Sequence, residues 1–127
     1  MTLRALIHKT LRDDTTLRNL LSKTSTPYGV YQNYPPEDVE FPIVTHREGF
    51  CDSGLVRPKN IVIESWGSDR NNIAERIYDL LHDKTSQDIS NFCLLKIRFQ
   101  QSDGEMYDQN FGTWFRKDVY KCIVAKE

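Results

Sequence analysis

The 127-residue sequence has little of what membrane spans and polyanion binders require. No stretch approaches the roughly 20 apolar residues that cross a bilayer. The 17 basic and 18 acidic side chains nearly cancel, whereas a dedicated nucleic-acid binder usually carries a basic excess or stripe. We therefore expect no membrane partner and no sequence-specific binding of nucleic acid.

Cysteine is scarce, with only Cys51, Cys93 and Cys122 in the chain. The three are widely separated and lack the close spacing of zinc sites or redox motifs. The N-terminal segment predicts a first helix and not a signal peptide, so we expect a protein kept in a reducing cytoplasm. Cys93 and Cys122 fall in strand-like runs, where a buried thiol acts as an apolar group, while Cys51 falls in a predicted loop.

Motifs of enzyme active sites are missing too. The sequence has no phosphate-cradling glycine pattern, no Gly-x-Ser-x-Gly elbow and no His-Glu-x-x-His. Its histidines, His8, His46 and His82, fall on different predicted elements, so we expect no metal site. His46-Arg47-Glu48 together with Asp52 imitates an acid/base cluster, but charged residues at a strand end are mostly solvated. We predict no catalytic residue and no cofactor.

Apolar residues at helical spacing predict two main helices and a shorter helical piece. The first helix carries Leu3, Leu6, Ile7 and Leu11, and Asp13-Asp14-Thr15-Thr16 supplies a stop and a cap for a short turn with Leu17, Leu20 and Leu21. Ser68 or Asp69 is placed to cap the second main helix, which carries Ile73, Ala74, Ile77, Tyr78, Leu80 and Leu81.

Strands are predicted at 30–34, 41–47, 60–66, 92–100 and 114–125, with loops at 49–60, 83–91 and 101–113. Residues 92–100 alternate between an apolar face and a polar one, and 114–125 alternate as well, with Phe115, Val119 and Ile123 opposed to Arg116, Asp118 and Tyr120. This order predicts one α+β domain over residues 1–127. It has a mainly antiparallel sheet of about four or five strands, with the two main helices packed on one face. We predict that Trp66, Ile73, Ile77, Leu81, Leu95, Ile97 and Phe99 lie in the core.

Partner contacts are predicted at an aromatic segment and at the two longer loops. Tyrosines beside Pro35-Pro36 are typical of interfaces, although packing on the domain's own edge explains them equally well. Long loops in a small domain are often functional. Lys96, Arg98, Arg116 and Lys121 offer charge to a partner, but a solvated face is the simpler explanation. The candidate interface residues are Tyr28, Tyr31, Tyr34, Cys51, Asp52, Met106, Tyr107 and Phe111.

Several segments follow one another in a distinctive order, although each alone is a weak signal. They are Leu3-Arg4-Ala5-Leu6, Leu17-Arg18-Asn19-Leu20-Leu21, Val30-Tyr31 with Tyr34-Pro35-Pro36, Phe41-Pro42-Ile43-Val44, Ile61 to Gly67, Ile73 to Leu81, and a closing pair of strands. The most telling part is the strand that ends at Trp66 and soon turns into an Ile-Ala-x-x-Ile helix.

Over nearly its whole length the chain thereby resembles the tail completion (tail terminator, minor tail) proteins of long-tailed bacteriophages. The resemblance implies a virion protein without catalytic residues that forms a ring, usually hexameric. Such a ring caps the finished tail tube, where it contacts the major tail tube protein, and presents its other face to the head-side connector protein. The 101–113 connection and the Cys51 loop depart most from the pattern, so no particular contact is carried over there.

Two other interpretations stay open. A head-completion or neck adaptor protein shares the size and the assembly role, but it binds the portal-side ring. A cytoplasmic module that recognises a peptide or small ligand through the tyrosine edge (residues 28–34) belongs to a different class of protein.

Overall fold

The structure is a computed structural model that describes residues 3–21, 29–51, 56–86 and 92–126. These ranges contain three helices and six strands. In chain order they are α1 (Leu3–Arg12), α2 (Thr15–Leu20), β1 (Val30–Gln32), β2 (Ile43–Cys51), β3 (Val56–Trp66), α3 (Arg70–Leu81), β4 (Thr85–Ser86), β5 (Phe92–Asp108) and β6 (Thr113–Lys126). No helix among them is long and apolar enough to cross a membrane.

The strands form one sheet in the order β1-β2-β3-β6-β5-β4. β1 pairs with β2 in parallel, and every other neighbouring pair is antiparallel. The predicted α+β class and the mainly antiparallel sheet are confirmed. The sheet has six strands where four or five were predicted, because the two-residue β4 lies in a polar segment that carries no alternation.

The core lies between the helices and one face of the sheet. α1 buries Leu3, Leu6, Ile7 and Leu11, and α3 buries Ile73, Ala74, Ile77 and Leu81. These side chains pack against sheet residues that include Val44, Ile61, Ile63, Ile97, Tyr120 and Cys122. Of the predicted core residues, Trp66, Ile73, Ile77, Leu81 and Ile97 are buried and Phe99 is half-buried, while the side chain of Leu95 lies outside the described ones.

The cap predicted for the short helix is confirmed. Asp14 stands at the N-cap of α2 and its carboxylate accepts the Leu17 N–H at 2.7 Å. The same carboxylate accepts two hydrogen bonds from the Arg76 guanidinium, at 2.8 and 3.0 Å, which tie α2 to α3. At the N-cap of α3, Asp69 makes no capping bond with its side chain.

The faces of β6 alternate as predicted, but the set that contains the charged residues faces the helices. Tyr120 is fully buried there, and Asp118 is buried beside Arg116, which donates to it at 3.1 Å. Phe115 and Val119 face the other way and pair with Trp66 and Val62. The alternation does not tell which face packs on the helices, because both faces of the sheet bury apolar side chains.

Two predicted loops are largely strand. β2 continues through Cys51 and β3 begins at Val56, so residues 49–51 and 56–60 of the predicted 49–60 loop are strand, and residues 52–55 lie outside the described ones. β5 continues to Asp108, so only residues 109–112 connect it to β6. Residues 101–107 are exposed throughout and form a strand by backbone pairing with β6. The sequence therefore shows no alternation of apolar residues that would mark this strand.

Candidate functional site

Two of the three histidines meet, which their separation in sequence did not indicate. His8 Nδ1 on α1 lies 2.9 Å from His46 Nε2 on β2. Burial lowers the pKa of His46 to about 4, and the nearby His8 and Arg4 act in the same direction. Among the described residues no three His, Cys, Asp or Glu side chains form a group that could hold a metal ion. The contact between His8 and His46 is partly buried and joins α1 to β2.

Of the two charged neighbours of His46 on β2, Arg47 is paired within the sheet and Glu48 is exposed. Arg47 forms an ion pair with Glu64 of the neighbouring strand, on the face opposite the helices. Asp52, the other member of the predicted imitation of an acid/base cluster, lies outside the described residues. The Arg47–Glu64 ion pair therefore links β2 to β3.

An aromatic cluster covers one end of the sheet on the face opposite the helices. Trp66 stacks on Phe115 with ring centroids 4.4 Å apart, and Phe41 and Phe111 approach Trp66 at 6.0 and 5.7 Å. The indole N–H of Trp66 donates to the buried Thr45 hydroxyl at 3.0 Å. Phe111, predicted to face a partner, is half-buried in this cluster. Its contact with Trp66 packs the β5–β6 turn against the end of β3.

The turn after β3 lets the β1–β2 connection reach this cluster. Gly67 has φ +111°, and a Cβ built on it would lie 3.1 Å from the Cα of Pro42. Only glycine combines that backbone conformation with such a close approach. The connection from residue 33 to 42 therefore packs beside the start of α3, with Phe41 against Trp66.

The projecting β5–β6 hairpin presents the largest exposed aromatic pair. Tyr107 and Trp114 lie directly across from each other with centroids 5.5 Å apart, and their residues are 51% and 48% exposed. The Arg70 guanidinium lies 5.9 Å from the Trp114 ring and donates to Glu105 at 2.8 Å. We call Arg70, Glu105, Tyr107 and Trp114 the hairpin surface. Met106, 37% exposed, lies on the opposite face of the hairpin.

Charge pairing holds this surface in place. The hydrogen bond from Arg70 lowers the pKa of Glu105, and a second one from Asn71 at 3.2 Å adds to the effect. Glu105 therefore stays ionised and binds the start of α3 to the hairpin. Aromatic side chains beside an arginine are the composition typical of energetically dominant interface residues.

A second exposed tyrosine lies at the other edge of the sheet. Tyr34 is 73% exposed in the connection between β1 and β2, whereas Tyr31 is half-buried within β1. Asn33 and Asp38 adopt left-handed φ values of 69° and 57°, which asparagine and aspartate tolerate better than most residues. We call residues 33–42 the tyrosine loop.

The predicted interface residues do not form one surface in the structure. Tyr34 lies on the tyrosine loop, Met106 and Tyr107 lie on the hairpin, and Phe111 turns inward. Tyr28 and Asp52 lie outside the described residues, and Cys51 ends β2 instead of lying in a loop. Trp114 and Arg70 were not predicted, because the strand register places Trp114 beside Tyr107 and the packing of α3 places Arg70 over Trp114.

No protein-family model and no curated protein sequence matches the chain. A solved structure described as the virion of a native gene transfer agent (GTA) particle contains a chain with a similar fold. The TM-score is 0.74 at 19% identity, over 97% of this chain and 94% of that one. At this level of identity the likeness shows a shared fold.

Proposed function

We propose that this chain is a structural protein of a phage-like particle that caps the tail tube as a ring and meets the head-side connector. The observation that supports it most is the fold shared with a chain of a gene transfer agent virion, over 97% of this chain and 94% of that one. The match extends over nearly the whole of both chains, which supports a common role for the domain.

The arrangement of surfaces is compatible with a ring. A closed ring of identical subunits uses two different surfaces of each subunit, since the contacts are head to tail. The tyrosine loop joins β1 to β2, and the hairpin is formed by β5 and β6, so exposed aromatic residues mark both sides of the sheet. We propose a hexamer, the usual ring size in the family that the sequence resembles.

Mixing the purified chain with the tail tube protein of the same particle tests this function. Electron microscopy should show tubes of fixed length with a ring at one end, and omitting the chain should give tubes of variable length. Association with the portal-side ring instead of the tube would establish a neck adaptor. Failure to associate with either would refute a role at the head–tail junction.

A further inference from the structure

One sheet face near the β5 edge carries cations that are poorly neutralised within the subunit. Ile97 of β5 and Cys122 of β6 lie across from each other and are fully buried under the helices. Side chains alternate along a strand, so their neighbours point away from the helices. We call this set, formed by Lys96, Arg98, Lys121 and Ile123, the basic face.

Like charges lie directly opposite one another on the basic face. Arg98 pairs in register with Lys121, an arrangement that destabilises a sheet. Lys96 and Arg98 both approach the single carboxylate of Asp83, at the long distances of 4.0 and 3.7 Å. In the described part of the chain no other carboxylate lies within ion-pair distance of these three cations. The basic face therefore keeps an excess of positive charge.

The tyrosine loop has the complementary character. Its sequence contains Glu37, Asp38 and Glu40 and no basic residue. Glu37 and Asp38 are exposed, and so is Tyr34. Pro35 is buried and Pro36 fixes a second φ angle, so the loop loses little conformational entropy when it binds.

We propose that the tyrosine loop of one copy docks on the basic face of the next copy, with Glu37 and Asp38 against Arg98 and Lys121. This inference rests on the ring proposed above and names the surfaces that would close it. β3 and β6 separate β2 from β5, and the loop enters β2 at Ile43 opposite Trp66 whereas Lys121 pairs with Asn60, so the two surfaces are different places on one subunit. Such a contact is head to tail, as a ring requires.

A second copy explains the basic face better than a nucleic-acid backbone does. Ile123 is 40% exposed beside the cations, and an apolar side chain offers nothing to phosphate but can pack against Tyr34. Asp83 also lies among the cations, where it would repel a polyanion. A loop that combines a tyrosine with carboxylates matches both the charge and the apolar character of the face.

Charge reversal in two variants tests the contact. The loop variant carries Glu37→Lys and Asp38→Asn, since asparagine tolerates the left-handed φ of Asp38. The face variant carries Arg98→Glu and Lys121→Glu and keeps a like-charge pair across the strands. Each variant alone repels its own copies, but loop and face attract in a mixture of the two. Lys9→Glu and Glu75→Lys, exposed charges on α1 and α3, are the control pair.

Self-association is measured by sedimentation velocity, with tail tubes as a template if the wild type sediments as a monomer. Circular dichroism and thermal melts confirm that every variant folds. We expect each single variant to associate at least tenfold more weakly than the wild type, and an equimolar mixture to recover assemblies containing both. Assembly of either variant alone at wild-type strength, or no recovery in the mixture, would overturn the proposal.

Two further outcomes separate this proposal from its rival and from the proposed function. If the face variant loses binding to duplex DNA while the loop variant assembles normally, the basic face binds nucleic acid and the docking proposal is overturned. If the mixture recovers assembly but tubes stay uncapped, the docking contact stands and the tail-capping role is refuted. If each variant alone caps tubes normally, the tail-capping role stands and the docking contact is refuted.

Discussion

At the scale of single residues, Tyr120 combines a ring that packs in the core with a hydroxyl that makes no hydrogen bond to the described residues. The residue is fully buried, and its ring meets Phe99 edge-on with centroids 5.4 Å apart. Its hydroxyl has no hydrogen-bond partner among the described residues. Burial raises the pKa of this hydroxyl well above its usual range, and Asp118 adds to the shift. The ring therefore stabilises the core, while the hydroxyl carries a desolvation cost.

Tyr120→Phe keeps the ring and removes the unbonded hydroxyl. We expect the free energy of unfolding to stay equal or to rise by about 1 kcal/mol, since an unsatisfied buried polar group costs about 1–3 kcal/mol. Tyr120→Ala serves as the comparison and should cost about 3–5 kcal/mol through the cavity it leaves. Urea unfolding measures both variants. A loss of more than about 1 kcal/mol in Tyr120→Phe would mean that the hydroxyl is hydrogen-bonded.

His46 predicts how stability depends on pH. Its pKa is lowered in the folded state from 6.5 to about 4, so between these values the unfolded chain binds more protons. Stability is complete above about pH 6.5 and is lost as the pH falls towards 4, by roughly 3 kcal/mol for this one group. The charged groups that act on the partly buried pair of His8 and His46 are Arg4, Arg12 and Asp13.

The comparison of wild type with His46→Leu isolates this contribution, because most carboxylates titrate equally in both proteins. Urea unfolding at several pH values between 7 and 4 should show a steeper loss of stability in the wild type. The difference in slope should vanish above about pH 7. Parallel curves over the whole range would show that His46 does not resist protonation in the fold.

At the scale of helices and strands, the sequence predicted those elements whose own residues face the core. α1, α3 and the apolar half of β3 have buried side chains at regular spacing, and all three are confirmed. The outer part of β5 was missed because its residues are exposed on both faces, so burial imposes no alternation of apolar and polar residues there. Periodicity detects burial, so it does not detect a strand that buries nothing.

Asp14 predicts a coupling between α2 and α3. Asp14→Ala removes both the helix cap and the two hydrogen bonds from Arg76, and we expect it to cost about 1–2 kcal/mol of stability. Asp14→Asn keeps an acceptor for the cap but loses the charge, so its loss should be smaller. The neighbouring Asp13, with an exposed carboxylate bonded to Arg12, is the control. Its alanine variant should unfold at the same urea concentration as the wild type.

At the scale of the whole molecule, the structure shows which of the predicted interface residues are exposed, and their contact with a partner stays a prediction. Tyr34, Met106 and Tyr107 are exposed, as an interface requires. Their sequence context predicts this, because aromatic and sulfur-containing side chains are unusual in polar segments. Phe111 has the same kind of sequence context and yet packs on Trp66. Trp114 begins an alternating strand, and its sequence context does not mark it as an interface residue. Whether such a side chain is exposed or buried depends on the strand register. Residue type and spacing do not determine that register.

The hairpin surface carries the last prediction, which concerns the contact with the tail tube. Trp114 and Tyr107 are about half exposed, so truncating them removes little from the fold. If they are central to the tube contact, Trp114→Ala should weaken tube binding by at least about 2 kcal/mol, or roughly thirtyfold. Tyr107→Ala should have a smaller effect in the same direction.

Tyr78→Ala is the matched control, because Tyr78 is 40% exposed and stacks on His82 near the far end of α3, away from the hairpin. Tube binding is measured by co-sedimentation, and thermal melts verify that each variant folds. Equal binding by the Trp114→Ala variant and the wild type would remove the hairpin surface from the tube contact. Weaker binding by the Tyr78→Ala variant alone would move the contact to α3. A loss confined to the hairpin variants would leave the tyrosine loop and the basic face for contacts between subunits, so that one small domain would bind its copies and its tube through separate surfaces.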